Sequence, residues 1–493
     1  MFSRVTQEMK SGLSTVNSFG GIDADADELL KTCFQDHVAY RAVRQMKDFL
    51  VLGRKGSGKT AIYKKLITAD DPNVLAFGHT FDDYPWHHHD LQASSGVPEE
   101  RRFVHSWKYL ILMGLAKMLL NSDHTQPWND ESADSMSSLE DFIVDSYGSR
   151  DPDIHQLFSP EKELKLRAGL DLKVFTLEGE TVRVKDLPPH VQEVNSVISR
   201  HILRALNPAV DYFICFDQLD LGFTVTDPKY SQRLIGLLIA ARDLFVAARD
   251  QGKRLNPVVF LRDDIHQDLQ FEDKNKITEN FATWINWSED SSGLTLKDLM
   301  ERRFTELLGT DENPNITWDD VFDESKDMPG RQRKYSHIVD RTLLRPRDMI
   351  KFCNEILQAY KSDGLDGPIP NEPIHQARES YSNYLLNEID DEIAKHVPSY
   401  KDYLEVIKTI GAEKFEKALF VEAYNQRGGF EDSPEQALSD LFSFSIVSYL
   451  KPGGRGGGSE YVWRYRDSRA RFDPLAVSYR VHPGFKEVLG LVR

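Results

Sequence analysis

Gly53, Gly58, Lys59 and Thr60 occupy the fixed positions of G-x-x-x-x-G-K-[ST] within the stretch LVLGRKGSGKTAIYKKL. Glycines there let successive backbone N–H groups curl round an anion, and a helix opening near Lys59 aims its positive dipole end at the same point. A lysine so placed reaches the β and γ phosphates, while the hydroxyl after it coordinates Mg²⁺. The run Gly53, Arg54, Lys55, Gly56, Ser57, Gly58, Lys59, Thr60 and Ala61 is therefore the candidate cradle for a triphosphate with Mg²⁺. A glycine-rich turn without a ligand is the weaker reading, because the apolar Phe49-Leu-Val-Leu52 before it and the helix after it supply the required context.

Such a loop needs a second acid on a neighbouring strand to hold the metal through water, and FICFDQLD offers Asp217 at a strand end. Thr60 and Asp217 are thus the candidate metal ligands. Position 218 is Gln, where many hydrolytic enzymes of this type carry a water-activating Glu; Asp220 is the nearest acid able to orient or deprotonate the water. Arg262 ends the apolar PVVFLR at the same sheet edge and is a candidate γ-phosphate sensor, with a salt bridge to Asp263 or Asp264 as the plainer alternative. In LLRPRDMI, Arg345 and Arg347 flank a proline that starts a helix, from which Arg347 could lean over the nucleotide; an ordinary basic helix start on the surface competes.

These residues require an α/β core. Strands are expected at 48–52, from Asn73 (NVLAFGHTF), at Asp211–Asp217 and at Pro257–Arg262, with another short one in ENFATWINW. Helices fall between them, which fits a parallel sheet covered on both faces. Residues 1–33 are polar and weakly periodic. The core spans 34–310, interrupted over about 82–208 by an expected insertion containing a helix at 104–120, an exposed acidic stretch (NDESADSMSSLEDF) and a hairpin in LKVFTLEGETVRV. Residues 311–397 read as a helical lid. Residues 398–493 give helix, helix, strand, Gly-rich turn and strand, in the manner of a winged helix with 452–459 as the wing and VHPGFKEVLGL closing the domain.

At 493 residues with 40% hydrophobic and 28% charged, the chain is long enough for about three domains. It has no apolar run long enough to cross a membrane and no signal-type N-terminus, so a cytoplasmic location is expected. Cys33, Cys215 and Cys353 lack metal-ligand spacing, and His87 to His89 read as a solvated loop rather than a metal site. The formal charge of −17 argues against indiscriminate coating of nucleic acid. Yet 331–351 carries seven Lys/Arg against two Asp, and Arg455, Arg464, Arg466, Arg469 and Arg471 sit around the expected wing. The helix SPEQALSDLFSF carries acids and no arginine, which speaks against direct base reading.

GRKGSGKT, FDQLD, VVFLRDDI, INWSEDSSGLTLKDLMERRF and LLRPRDMIKFCN occur in an order that resembles the origin-recognition-like and STAND-like branches of AAA+ ATPases. In particular the chain resembles a bacterial P-loop ATPase family with GRKGSGKT, D-x-x-D and RPRD motifs, often found near phage-defence genes. The resemblance runs from about Cys33 to Cys353 outside the insertion. It implies ATP as the nucleotide with Lys59 and Thr60 on triphosphate and Mg²⁺. It further implies Asp217 on the metal's water, Asp220 as the second acid, Arg262 as the sensor and Arg347 in the lid. Arg302 or Arg303 would either pair on the surface or reach across a subunit boundary. The long spacing from Thr60 to Asp217 and Gln218 depart from a fast motor.

Three functions follow as expectations. The first is an ATPase switch acting through self-assembly or a partner protein in antiviral defence; the second is a DNA-binding origin-recognition-like ATPase; the third, weakest, is a P-loop small-molecule kinase.

Overall fold

A computed structural model of the chain describes residues 12–81, 86, 89, 101–122, 125–153, 156–157, 191–220, 228–288, 293–394, 396–453 and 458–492. The chain divides into two units, one of residues 38–53 and 59–285, the other of 1–37, 54–58 and 286–493.

The first unit contains α1 (Val38–Arg44), β1 (Leu50–Gly53), α2 (Lys59–Ile67), β2 (Val74–His79), α3 (Val104–Asn121), α4 (Asp130–Tyr147) and α5 (Val191–Ala205). It continues through β3 (Asp211–Phe216), α6 (Pro228–Asp250), β4 (Leu255–Arg262), α7 (Asp263–Asp268), α8 (Lys274–Phe281) and β5 (Ala282–Trp284). The strands form a five-stranded sheet in the order β2-β3-β4-β1-β5, with every pair parallel. The strand bearing Asp217 is not the neighbour of the loop-bearing strand, as the sequence reading had it; β4 lies between β3 and β1. All eight residues of β4 are buried, and its unbroken apolar run Pro257–Leu261 belongs in the centre of a covered parallel sheet. Gly53 is in register with Arg262, and Phe216 with Val259, so β1, β3 and β4 end along one edge.

The region expected as an insertion contributes to this core. Trp107, Ile111, Met113 and Leu115 of α3 are fully buried in one cluster with Leu50, Leu52, Ile214 and Phe216. A helix apolar round most of its surface needs cover on most sides, and α3 lies against the sheet at Gly114, where a Cβ would make an ordinary 3.5 Å contact with Ile214 Cδ1. The acidic stretch expected to be exposed forms α4. Asn129 and Ser132 make a reciprocal capping box, and Leu139, Phe142 and Ile143 give it a buried face at helical spacing. The expected hairpin LKVFTLEGETVRV lies outside the described residues, as do His87 and His88. His89 is not solvated: it is fully buried, with Nδ1 2.8 Å from Ser106 Oγ and its ring 4.2 Å from that of Trp107. Packing against Trp107, with the rings tilted by 34°, gives the imidazole an apolar seat that a histidine triplet alone does not announce.

The second unit contains α9 (Leu296–Leu308), α10 (Pro346–Ser362), α11 (Asn371–Ile393), α12 (Tyr400–Ile410), β6 (Lys414–Glu416), α13 (Lys417–Arg427) and α14 (Pro434–Ser443). It closes with β7 (Val447–Lys451), β8 (Glu460–Val462) and β9 (Ser478–Val481). The short strands form an antiparallel sheet in the order β6-β9-β7-β8. Relative to the sequence reading, α12, β6 and β9 are additions. β9 buries alternate residues and pairs on both sides, a half-buried strand too short to stand out by periodicity. The N-terminal stretch, expected to be polar, is tied down in this unit. Leu13, Val16 and Phe19 are buried at three-residue spacing, and Phe19 N–H donates to Asn354 Oδ1 at 2.8 Å.

Candidate functional site

The edge of the parallel sheet gathers Lys59, Thr60, Asp217, Asp220 and Arg262. Thr60 hydrogen-bonds the Asp217 carboxylate, and Lys59 Nζ donates to Gly53 O at 2.8 Å, folding back on the residue that ends β1. Burial pushes the Lys59 ammonium below the usual lysine range against the opposing pull of Asp220 and Asp217. Asp217 is 2% exposed, and its Oδ2 is buried without a hydrogen-bond partner. Desolvation raises its pKa to about 6 despite the Thr60 bond and nearby Lys59. A buried carboxylate oxygen left unpartnered next to a hydroxyl and an ammonium is costly, and a bound cation or its water shell would relieve that cost. These oxygens fit Mg²⁺, a hard cation that takes one or two carboxylates and completes its shell with water and phosphate.

Arg262 is buried and engaged on both sides. Its Nε donates to Asp264 Oδ1 at 3.0 Å and Nη1 to Asp220 Oδ2 at 3.3 Å. The salt bridge to Asp264 that the sequence offered as the plainer alternative is present, together with one to Asp220. Gln218 adopts φ 62°, a left-handed conformation uncommon outside glycine, and its Oε1 is buried without a partner. Strain of this kind concentrates where backbone geometry matters to function.

Residues 54–58 belong to the second unit and meet α10 and α11. Gly56 has φ 77° and Gly58 φ 108°, conformations that glycine adopts without a Cβ penalty. A Cβ at Gly56 would also lie 3.1 Å from Arg347 Cβ and Cδ, so the Arg347 stem lies directly against the loop. The Arg347 guanidinium points to acids: Nη1 is 2.9 Å from Glu388 Oε2, Nη2 is 3.7 Å from Asp23 Oδ2, and Nε donates to Ile22 O. Arg345 is 1% exposed and makes more bonds still. Its Nε and Nη2 grip both oxygens of Asp348, at 2.8 and 2.9 Å. Its Nη1 donates to Glu392 Oε1 at 2.6 Å and to the Lys55 carbonyl at 3.0 Å. The loop's own cations are similarly held, Lys55 Nζ 2.8 Å from Asp391 Oδ2 and Arg54 Nη2 3.7 Å from Glu392 Oε2.

Sequence reasoning passed over this acid set. Glu388, Asp391 and Glu392 share one face of α11, and NEIDDEI carried that signal in its three- and four-residue spacing. Arg303, expected on the surface or at a subunit boundary, is 3% exposed and pairs with Asp27, with Nη1 also donating to Phe19 O at 3.0 Å. Its burial follows from the N-terminal stretch packing against α9. Arg302 is exposed, and all three cysteines are free and buried. Among the described residues no group of His, Cys, Asp and Glu forms a metal-binding cluster, and no helix is long and apolar enough to cross a membrane.

The fold and edge cluster define a parallel α/β sheet with a glycine-rich loop at the end of β1. Comparisons with known proteins give a family match, a sequence relative and overlays on solved structures. Residues 294–390 match the family described as the FunZ-associated C-terminal helical domain, which spans α9, α10 and most of α11. The transposon gamma-delta 80.3 kDa protein of Escherichia coli (strain K12) is 21% identical over 432 residues, covering 81% of this chain and 55% of that protein. The chain thus spans about half the length of this curated relative. Two solved structures overlay most of the chain at 12% identity. The Aeropyrum pernix ORC1 protein in complex with DNA covers 88% of this chain and 92% of its own, with a TM-score of 0.33. The Aeropyrum pernix ORC2 protein in ADPNP–ADP complexes covers 98% and 96%, with a TM-score of 0.39. Scores this low do not establish a shared fold.

Proposed function

We propose that the chain is an ATP-binding, slowly hydrolysing P-loop ATPase that works as a nucleotide-dependent switch. The observation that carries this reading is the buried, unpartnered Asp217 oxygen beside Thr60 and Lys59 at the end of the strand set that bears the loop. Residues Gly53 to Ala61 would hold the polyphosphate, and Thr60 with Asp217 would hold Mg²⁺. When bound, the metal neutralises charge on the β and γ oxygens. Lys59 would leave Gly53 O for the phosphates. Asp220 would orient water, and Arg262, exchanging a carboxylate partner for phosphate, would register whether the γ group is present. Gln218 offers an amide but no proton acceptor of carboxylate strength, which favours slow turnover. Arg347 would act from the lid, and output would pass to a partner protein or a second copy. On motif resemblance alone, the reading extends to bacterial antiphage defence in the cytoplasm.

Sedimentation of the purified chain with ADP and with a non-hydrolysable ATP analogue tests the switch. A nucleotide-dependent change in assembly or compactness supports it, and identical profiles at saturating nucleotide overturn it.

A second reading adds DNA binding through the C-terminal domain, taken as a winged helix. It is favoured by a cleft of about 640 Å³ beside the β7–β8 hairpin, lined by Tyr461, Trp463 and Tyr465 with Arg466 and Arg480, which would exchange the acids Asp340 and Glu413 for phosphate; Asp340, Glu460 and Asp467 line it as well. Aromatic faces with guanidinium groups suit stacked bases and phosphates. Steeply salt-dependent DNA affinity would support it, and none at low salt would remove it.

A further inference from the structure

The two arginines of the RPRD sequence differ in what they hold: Arg347 bonds the Ile22 carbonyl, and the more buried Arg345 bonds the backbone of the glycine-rich loop. Arg345 spends one donor on a loop carbonyl, Lys55 O, and its remaining bonds go to Asp348 and Glu392. Asp348 is fully buried and is itself fixed, since Oδ2 also accepts the Leu343 N–H at 3.0 Å. The residue between, Leu344, has φ 52°. A non-glycine residue in the left-handed region is strained, and the strain is retained here immediately before Arg345. The fork geometry of arginine matters: a planar guanidinium grips both oxygens of one carboxylate while keeping another edge for the loop carbonyl, which an ammonium cannot reproduce.

We propose that Arg345 is a positioning residue that presets the backbone of residues 54–58, using Asp348 and Glu392 as its anchors, so that the loop is shaped before any phosphate arrives. Preset donors bind an anion without reorganising, so the arrangement raises polyphosphate affinity without a direct contact from Arg345. This consequence rests on the nucleotide reading above; the shaping of the loop does not.

The test uses the full chain and the variants R345K and E392Q. Hydrogen exchange of residues 54–58 is measured without nucleotide, and MgADP and Mg-ATPγS affinities are measured by titration. In R345K, exchange in 54–58 is expected to rise about tenfold and both affinities to fall about tenfold, the loss of one charge-assisted bond. E392Q, which keeps a hydrogen-bonding oxygen, gives a smaller change of the same kind. A merely structural role would lower Tm and loosen α10 and α11 without singling out 54–58, and that pattern overturns the proposal. Unchanged exchange and affinity in a folded R345K also overturn it. A wild-type chain that binds neither nucleotide while R345K still frees 54–58 would sink the nucleotide reading alone and leave the loop-shaping role standing.

Discussion

Two charged clusters, one in each unit, differ in how completely they are satisfied. Around residues 54–58 the acids Asp348, Glu388, Asp391 and Glu392 are matched by Arg345, Arg347, Lys55 and Arg54. At the sheet edge, Asp217 keeps a buried oxygen without a partner, and Lys59 turns to a backbone carbonyl. A cluster complete by itself is suited to hold shape. An incomplete one is suited to take a ligand, because its missing partner comes from outside.

The comparison breaks most sharply at Arg345. R345A leaves Asp348 buried without its cation and Glu392 with Arg54 at 3.7 Å, and a loss of about 3–5 kcal/mol is expected in denaturant unfolding. The opposite sign is expected at the sheet edge. D217N removes a buried carboxylate whose Oδ2 has no hydrogen-bond partner, so the nucleotide-free, metal-free chain should gain roughly 1–3 kcal/mol at neutral pH while Mg²⁺ dependence of ATP binding disappears. Paired urea curves with and without MgATP read both effects.

A smaller effect comes from two histidines of the first unit, the buried His266 and the half-buried His79, whose ring Nε2 is out of reach of water and hydrogen-bond partners. Burial lowers His79 and His266 to about 4. Each ring stays neutral in the folded chain while the unfolded chain takes a proton below its ordinary value. The stability is therefore full above about pH 6.5 and declines as pH falls toward 4. Roughly 1–2 kcal/mol per histidine should be lost by about pH 5, and H79F should flatten part of that slope in a pH series of unfolding curves. Smallest is R302A: Arg302 is exposed, and a change within about 0.5 kcal/mol is expected, in contrast to its buried neighbour Arg303.

The sequence made four members of the edge cluster legible because each closes an apolar strand or opens a helix: Lys59 and Thr60 after β1, Asp217 after β3, Arg262 at the end of β4; Asp220 was found by its nearness to Asp217 in sequence. A period-two or unbroken apolar run fixes where its last residue falls. Strand order was harder, since nothing local in Pro257–Arg262 says that β4 separates β1 from β3; that depends on pairing among distant segments. The Arg345 clasp was harder still. Its partners Glu392 and Lys55 lie 47 and 290 positions away, and basic residues around a proline read equally well as a surface helix start. The N-terminal stretch misled for a related reason, because Leu13, Val16 and Phe19 are too few to give a strong period.

The central claim is that the incomplete cluster is completed by MgATP. Calorimetric titration of ATPγS with Mg²⁺ into the wild-type chain and K59A tests it most directly. Saturable one-site binding by the wild type, weakened at least about 100-fold in a folded K59A, is the predicted result. Equal binding by both proteins, or none by either, would contradict it.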